Sequence, residues 1–411
     1  MAGDPIEAHC AMKVLYYSPH PNLTVSAQTG YGSHMREMIR AFQELGHEVE
    51  FFIAGEESSQ DSVTVERAGK EIQPATTSIV KQLIPKLLWE TLRDLNLIRI
   101  DQQRYRRLKE ICSVFQPDAI YERSHYGMTS GVRIAKLLGI HHILEVNSPN
   151  VQERIELSGR SWLSNLAHKK DRWVLENTNH VLTVSTRLAE MLDIPKLAAN
   201  WDVTPNAIRP GQEDQSKQKR TRKELGIPDD TILVGFVGSI FPWHGLDLLI
   251  DAISNLKDRG VHAAALIVGD GSTKKLLEQK VARQGIMDRI FWTGSVPSSE
   301  TYRFSELCDA LIMPKSNEYG SPVKLFEYAM SRVPVIAPTA PPVLEIMENR
   351  VHGLLVEAEV KAIANAILEI TDKPLGNALA ENWRSRVLSG HTWQNNAKTA
   401  LKELQFEPSQ P

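Results

Sequence analysis

Residues Tyr319 to Met330, YGSPVKLFEYAM, set a lysine and a glutamate three positions apart at a helix start. Ser321 suits an N-cap and Pro322 the first helical position. The amides of Val323, Lys324 and Leu325 then lack intrahelical partners, and the helix dipole makes that end an anion site. On a helical wheel Leu325, Phe326, Ala329 and Met330 share one side, and Lys324, Glu327 and Ser331 the other. Lys324 can meet a phosphate. Glu327, one turn deeper, can accept hydrogen bonds from vicinal hydroxyls such as those of a ribose. A surface ion pair worth about a few tenths of a kcal/mol accounts for the same two residues. Taken alone, the segment slightly favours that simpler reading.

Three further stretches carry polar or glycine signals. In GFVGSIFPWHGLDLL a buried strand ends at Gly238, which lets a backbone approach a ligand closely. Ser239 and His244 follow at the strand end, Trp243 can form a pocket wall, and a helix starts near Gly245. A plain strand–loop–helix turn explains this stretch equally well. LIVGDGS, with Gly269, is a strand running into a glycine turn, a weak nucleotide signal. AQTGYGSHMREM places Gly30 and Gly32 at a helix start that could take a phosphate. Met35 stands where the dinucleotide fingerprint needs its third glycine, which disfavours a nicotinamide enzyme. His34, taken alone, reads as an ordinary surface histidine. No GxxxxGK[ST], HExxH or GxSxG motif occurs, and no close carboxylate pair marks a glycoside hydrolase.

The elements that must position these residues form two series. KVLYYSP, GHEVEFFIA, DAIYE, HHILEV and HVLTVS read as strands. Helical patterns lie near 33–45, 130–138 and 161–177. The series restarts after VTPNAIRPGQEDQSKQKRTRKELGIPDD with TILVGFVGSI, HAAALIVGDG, RIFWTGSV, DALIMPKS and VPVIAP. HGLDLLIDAISNL has an apolar stripe of Leu246, Leu249, Ile250, Ile253 and Leu256. Repeated β-α units predict two mostly parallel sheets with helices on both faces, and a ligand cleft between two domains. A length of 411 residues and a composition 42% hydrophobic and 24% charged fit two soluble domains. The net charge of −3 gives no sign of a nucleic-acid binder. Three widely spaced cysteines, Cys10, Cys112 and Cys308, fit a reducing compartment. No secretory signal or spanning segment is read, so a cytoplasmic location is expected. Residues 80–110 are helical in pattern, with eight Lys/Arg against four Asp/Glu. A basic amphipathic helix can lie on an anionic membrane, although a solvated helix with ion pairs is the more ordinary reading.

Taken in order, GFVGSIFPWHGLDLLIDAI, ALIVGDG, IFWTGSVPSSE, LCDALIMPKSNEYGSPVKLFEYAMSRVPVIAP and LEIMENRVHGLLVE resemble the donor-binding domain of the family 4 retaining glycosyltransferases. That family has the GT-B fold, two Rossmann-like β/α/β domains facing across a cleft. The stretch from VLYYSP through GHEVEFF resembles its N-terminal unit, TPNAIRP its hinge, and HTWQNNAKTALKEL its final helix. The resemblance implies an N-terminal acceptor-side domain over 1–205, with the helical insertion at about 80–110. A donor-binding domain follows over 206–385, and a returning C-terminal helix over 386–411.

It also implies site roles. Glu327 matches the second glutamate of the family's Glu-x7-Glu motif and would bind ribose. Amides of Val323 to Leu325 would hold the donor phosphates. Gly30 and Gly32 match the glycine loop near the diphosphate, and Val296 the loop beside the base; Gly238 and Gly269 join the donor-binding set. Departures are clear. Ser239 and His244 stand where relatives carry arginine and lysine, Tyr319 replaces the first glutamate of the motif, and Glu318 is one place off. Lys324 is the natural replacement for the lost cations, so Lys324, His244 and Ser239 are the expected catalytic set, His244 helping most if protonated. On the acceptor side, Arg123 and Asn147 stand where relatives often have histidines, and His34 joins them.

The implied function is retaining hexosyl-type transfer from a nucleoside-diphosphate sugar to a glycan, glycolipid or small-molecule acceptor, as in polysaccharide synthesis. No metal or other cofactor is expected, and no nucleic-acid partner. Peripheral membrane contact through 80–110 is an open expectation. A GT-B sugar-nucleotide epimerase and a non-catalytic nucleotide-sugar binder are the alternatives.

Overall fold

The computed structural model describes residues 11–27, 30–56, 84–211 and 221–405. Cys10, residues 80–83 of the expected basic helix, and 212–220 of the expected linker lie outside the described residues. The chain forms two compact units. The first runs to Val184 and takes in Leu188–Thr204 and the segment from Asn396. The second comprises Ser185–Arg187 and Pro205–Asn395.

The first unit is built on six parallel strands. These are β1 (Lys13–Ser18), β2 (Glu48–Ile53), β3 (Ala119–Arg123), β4 (His141–Val146), β5 (His180–Thr183) and β6 (Trp201–Val203), in the order β2-β1-β3-β4-β5-β6. The middle strands are apolar runs because helices cover both faces of a parallel sheet. Val14, Leu15, Ile120 and Ile143 are fully buried. Two acidic residues interrupt those runs. Glu145 pairs in register with Arg123 across the β3–β4 ladder, and Glu122 with Leu144. Side chains alternate along a strand, so Glu145 and Glu122 enter opposite faces of the sheet. The helix over Lys86–Phe115 is continuous for 30 residues and ends at Gln116 in the left-handed conformation.

The second unit repeats the plan with β7 (Ile232–Val237), β8 (Ala263–Val268), β9 (Ile290–Gly294), β10 (Ala310–Ile312), β11 (Val335–Pro338) and β12 (Leu354–Val356). Their order is β12-β11-β10-β7-β8-β9. Every residue of β8 is buried. The helix Leu246–Asp258 lays Leu249, Ile250, Ile253 and Leu256 against this sheet, all fully buried. Each such side chain contributes about 1.5–3 kcal/mol relative to exposure. The strand order reverses between β7 and β10, so the loops leaving their carboxyl ends diverge and leave a crevice. Apolar patterning does not single out the short strands β6 and β12.

Candidate functional site

The crevice of the second unit is framed by glycines. Gly238 and Gly269 both hold φ near +140°, at +140° and +139°, a region open to glycine alone. A Cβ on Gly269 would lie 2.1 Å from the Gly238 carbonyl oxygen, and one on Gly271 2.2 Å from that of Ile240. Main-chain bonds tie the carboxyl ends of β7, β8 and β9 together. The Gly238 amide donates to Val268 O at 2.9 Å, Ile240 to Asp270 O at 2.9 Å, and Gly269 to Gly294 O at 2.9 Å. The frame around the β7 terminus is therefore made of backbone.

Two side chains meet on that frame. The loop after β7 forms a turn over Pro242–His244 before the Leu246–Asp258 helix. His244 Nδ1 lies 2.7 Å from the Ser239 carbonyl and Nε2 2.9 Å from Lys324 Nζ. The carbonyl accepts only, so Nδ1 carries the proton and Nε2 accepts from the lysine. Burial, then the Lys324 charge, pushes the imidazole pKa down to about 4. His244 is thus neutral near pH 7, which corrects the expectation of a useful imidazolium. Burial also lowers Lys324 to about 8, with Glu327 opposing. Lys324 does not simply face away from the core. Its ammonium lies 5.4 Å from the centroid of the Phe236 ring, and its Cε would be 3.2 Å from a Cβ at Gly238. Ser239 contributes its carbonyl to the histidine and leaves an exposed side chain.

The helix carrying Lys324 spans Val323–Met330. Its N-cap is Pro322, not Ser321. Ser321 instead accepts the Asn206 amide on Oγ at 2.9 Å and the Asn206 side chain on its carbonyl at 2.7 Å. The Leu325 amide is engaged by Pro322 O at 3.1 Å, which leaves Val323 and Lys324 as the forward amides and removes Leu325 from the expected set. Glu327 is exposed on the same helix. The concave surroundings displace part of its hydration and raise its carboxyl pKa, with Lys324 pulling the other way. Trp243, His244, Asn317, Gly320, Val323 and Lys324 border an open pocket of about 240 Å³. Tyr319 contributes its carbonyl, which accepts from Ser185 Oγ at 2.6 Å, and exposed Glu318 lies 3.8 Å from Arg187. Val296 sits beyond β9, partly buried against the core. Trp243 stacks on Phe241 at 4.6 Å and keeps an exposed edge.

In the first unit, three residues named from sequence converge on one that was not. His34 Nε2 lies 2.7 Å from Glu145 Oε1, Arg123 Nη1 3.1 Å from it, and Asn147 donates to the same oxygen at 2.5 Å. Tyr121 donates to Oε2 at 3.0 Å. Burial works against the Glu145 charge, but His34 and Arg123 override it and hold the carboxyl well below the usual carboxylate range. His34 is buried, which corrects its reading as a surface histidine. The helix Gly30–Glu44 starts at Gly30, and a Cβ on Gly32 would lie 2.2 Å from Ala27 O. Residues 28–29 of that loop lie outside the described residues. At this unit's own strand reversal, between β1 and β3, the rings of His20 and His125 lie 4.1 Å apart. Burial lowers their pKa values to about 4 and about 3, so both are neutral. Neither drew notice in the sequence. A charged residue inside a doubly covered strand, as in HHILEV, was the available signal for Glu145.

Among the described residues no group of three or more His, Cys, Asp or Glu is arranged to hold a metal ion. No helix among them is long and apolar enough to cross a membrane. Cys112 and Cys308 are free and buried.

Two parallel α/β units with a glycine-framed crevice in the second define the Rossmann-like pair of the GT-B class. Comparison with known proteins narrows that class. The profile described as "Glycosyl transferases group 1" matches residues 217–387, and that of "Glycosyltransferase Family 4" matches residues 29–211. The chain belongs to these GT-B glycosyltransferases. It is 26% identical over 258 residues to 2-deoxystreptamine glucosyltransferase of Streptomyces kanamyceticus, covering 61% of this chain and 66% of the relative, just short of two thirds. Sucrose-phosphate synthase from Thermosynechococcus elongatus shares the fold with a TM-score of 0.69 at 17% identity, over 96% of this chain and 98% of that one. Anabaena HepE does so with a TM-score of 0.64 at 17% identity, over 96% and 99%.

Proposed function

We propose that the chain transfers a sugar from a nucleoside-diphosphate sugar to an acceptor, with retention at the anomeric carbon. The observation that carries this reading is the Lys324 ammonium, held by a neutral His244 over the Gly238–Gly269 frame beside an open pocket. Diphosphate departure puts negative charge on phosphate oxygens as the sugar becomes oxocarbenium-like. A preorganised cation and amides aimed at that charge lower the barrier. Lys324 and the Val323 and Lys324 amides take this role. His244 holds the lysine in place, the Ser239 carbonyl fixes the histidine tautomer, and Glu327 accepts from the ribose hydroxyls. Gly30 and Gly32 stand on the diphosphate side of the first unit, and Val296 beside the base.

HepE has been solved with UDP and with UDP-glucose, which makes a uridine donor the first to test. His34, Arg123 and Asn147 take the acceptor side, where the acceptor is a glycan, a glycolipid or a small molecule. Turnover needs no metal, so chelator leaves it unchanged. Peripheral contact with the inner face of a membrane is assigned to the basic 80–110 region.

A thermal-shift screen with UDP-, GDP- and ADP-sugars tests the central claim, because ligand in excess stabilises by RT ln(1 + [L]/Kd). One of them raises the melting temperature. If none does, the donor assignment fails.

A further inference from the structure

Over Lys86–Asp101 the helix Lys86–Phe115 turns its carboxylates inward and four leucines outward, the reverse of an ordinary surface helix, whereas farther along Glu110 is exposed and Leu108 buried. Glu90, Asp94 and Asp101 are 3%, 4% and 3% exposed, whereas Leu92 and Leu95 are 47% and 49% exposed. The inward polar contacts set this rotation. Arg154 Nη2 reaches Glu90 at 2.6 Å and Asp94 at 3.1 Å. Tyr126 donates to Asp94 at 2.7 Å. Asp101 accepts the Thr129 amide and hydroxyl at 3.0 and 2.8 Å and the Ser130 amide at 2.9 Å. Buried carboxylates with this many donors cannot swing outward without losing them. Leu88, Leu92 and Leu95, spaced four and three apart, therefore stay on the outer face.

The segment 157–163, the end of the helix Asn150–Ser158 and the chain after it, extends this face. The Trp162 amide donates to Thr91 Oγ1 at 3.1 Å, and Gly159 packs against the Lys86 side chain. That leaves Trp162 at 66% and Leu157 at 81% exposure beside the helix. With these three acids turned in, the exposed charges over 86–101 are basic, and the exposed Glu110 and Glu156 lie outside that stretch. Lys86, Arg93, Arg99, Arg106 and Arg160 are all exposed. An apolar face with a tryptophan and a cationic rim complements one partner well: an anionic bilayer surface, with leucines at the acyl boundary and arginines among the headgroups.

We propose that this face docks the chain on anionic membrane, with Leu88, Leu92, Leu95, Leu157 and Trp162 inserted and Arg99 and Arg160 at the phosphates. The proposal specifies the membrane contact of the functional reading and rests on it only for the choice of acceptor.

The test is co-flotation of the full chain with phosphatidylcholine vesicles, with and without phosphatidylglycerol. The chain floats with the anionic vesicles. Leu92→Glu with Trp162→Glu weakens binding about tenfold or more. Arg99→Glu with Arg160→Glu weakens it about fivefold or more per residue at low salt. Leu88→Gln with Leu95→Gln gives a milder loss and stands in if the first pair unfolds. Failure to float with anionic vesicles overturns the proposal, and so does equal flotation by wild type and variants. A wild-type dimer that Leu92→Glu converts to monomer, with no vesicle binding, overturns it in favour of a second copy as occupant. The nucleotide-sugar melting shift, measured on the same samples, is independent. A retained shift without flotation sinks only the docking, and flotation without any shift sinks only the donor assignment.

Discussion

The two units each place a cation at the carboxyl ends of parallel strands, but they treat it differently. Arg123 lies against a buried carboxylate, Glu145, that also receives His34, Asn147 and Tyr121. Its charge is already answered inside the protein. Lys324 is held instead by the lone pair of a neutral imidazole, with an exposed carboxylate one turn away. Its charge is positioned but not neutralised by contact. On the proposed reading, the first arrangement faces a neutral, hydroxyl-rich acceptor. The second suits an anion. On that reading, the difference between a carboxylate partner and an imidazole partner becomes a difference in the ligand each unit receives.

The comparison breaks most severely if Glu145→Gln is harmless. Removing one member of a buried ion pair leaves the other uncompensated, at a cost of about 3–5 kcal/mol, so denaturant unfolding shows a large loss while any nucleotide-sugar melting shift persists. Lys324→Ala is the mirror case. Loss of a charge-stabilising donor lowers turnover by about 10² to 10³, read as initial rate, while the melting temperature without ligand moves only a few degrees. Gly269→Ala tests the frame under Lys324. Strain at a glycine-only conformation costs about 1–3 kcal/mol, and the Gly238 carbonyl must shift as well, so both stability and the donor-induced melting shift fall.

The pH dependence sharpens the same contrast. Lys324 is cationic below its pKa of about 8 and loses its charge above it. The rate at subsaturating donor therefore holds from pH 6 to 7 and declines above about 8, by up to roughly tenfold per unit. Stability carries the opposite sign. The lysine pKa is depressed on folding, so the unfolded chain binds more protons between about 8 and its ordinary value, and this group's contribution to stability rises over that window. A rate profile that stays flat to pH 9 removes Lys324 from the reacting charge.

Much of the architecture was legible because β-α alternation writes itself into apolar runs. DAIYE, HHILEV and TILVGFVGSI became β3, β4 and β7 with little shift of boundary. The Lys324–Glu327 spacing was equally legible, since a helical wheel needs only sequence. Three things were not. The rotation of the Lys86–Phe115 helix depends on Arg154 and Thr129, which are distant in sequence, so periodicity could locate a polar side but not say that it faces in. The protonation of His244 depends on burial and on a lysine 80 positions away. The cap at Ser321 failed because Asn206, another distant residue, claims its hydroxyl.

The knot of main-chain bonds beneath Lys324 has a practical reach. Gly238 and Ile240 hold the loop after β7 to the end of β8 and the loop beyond it, and Gly269 ties that loop to the end of β9, through amides and carbonyls, so exposed side chains displayed on those loops are lodgers on the scaffold. A designer seeking a different donor can randomise the exposed Ser239 broadly while leaving the glycines untouched. Variants from such a library would differ in what they hold, and far less in whether they fold.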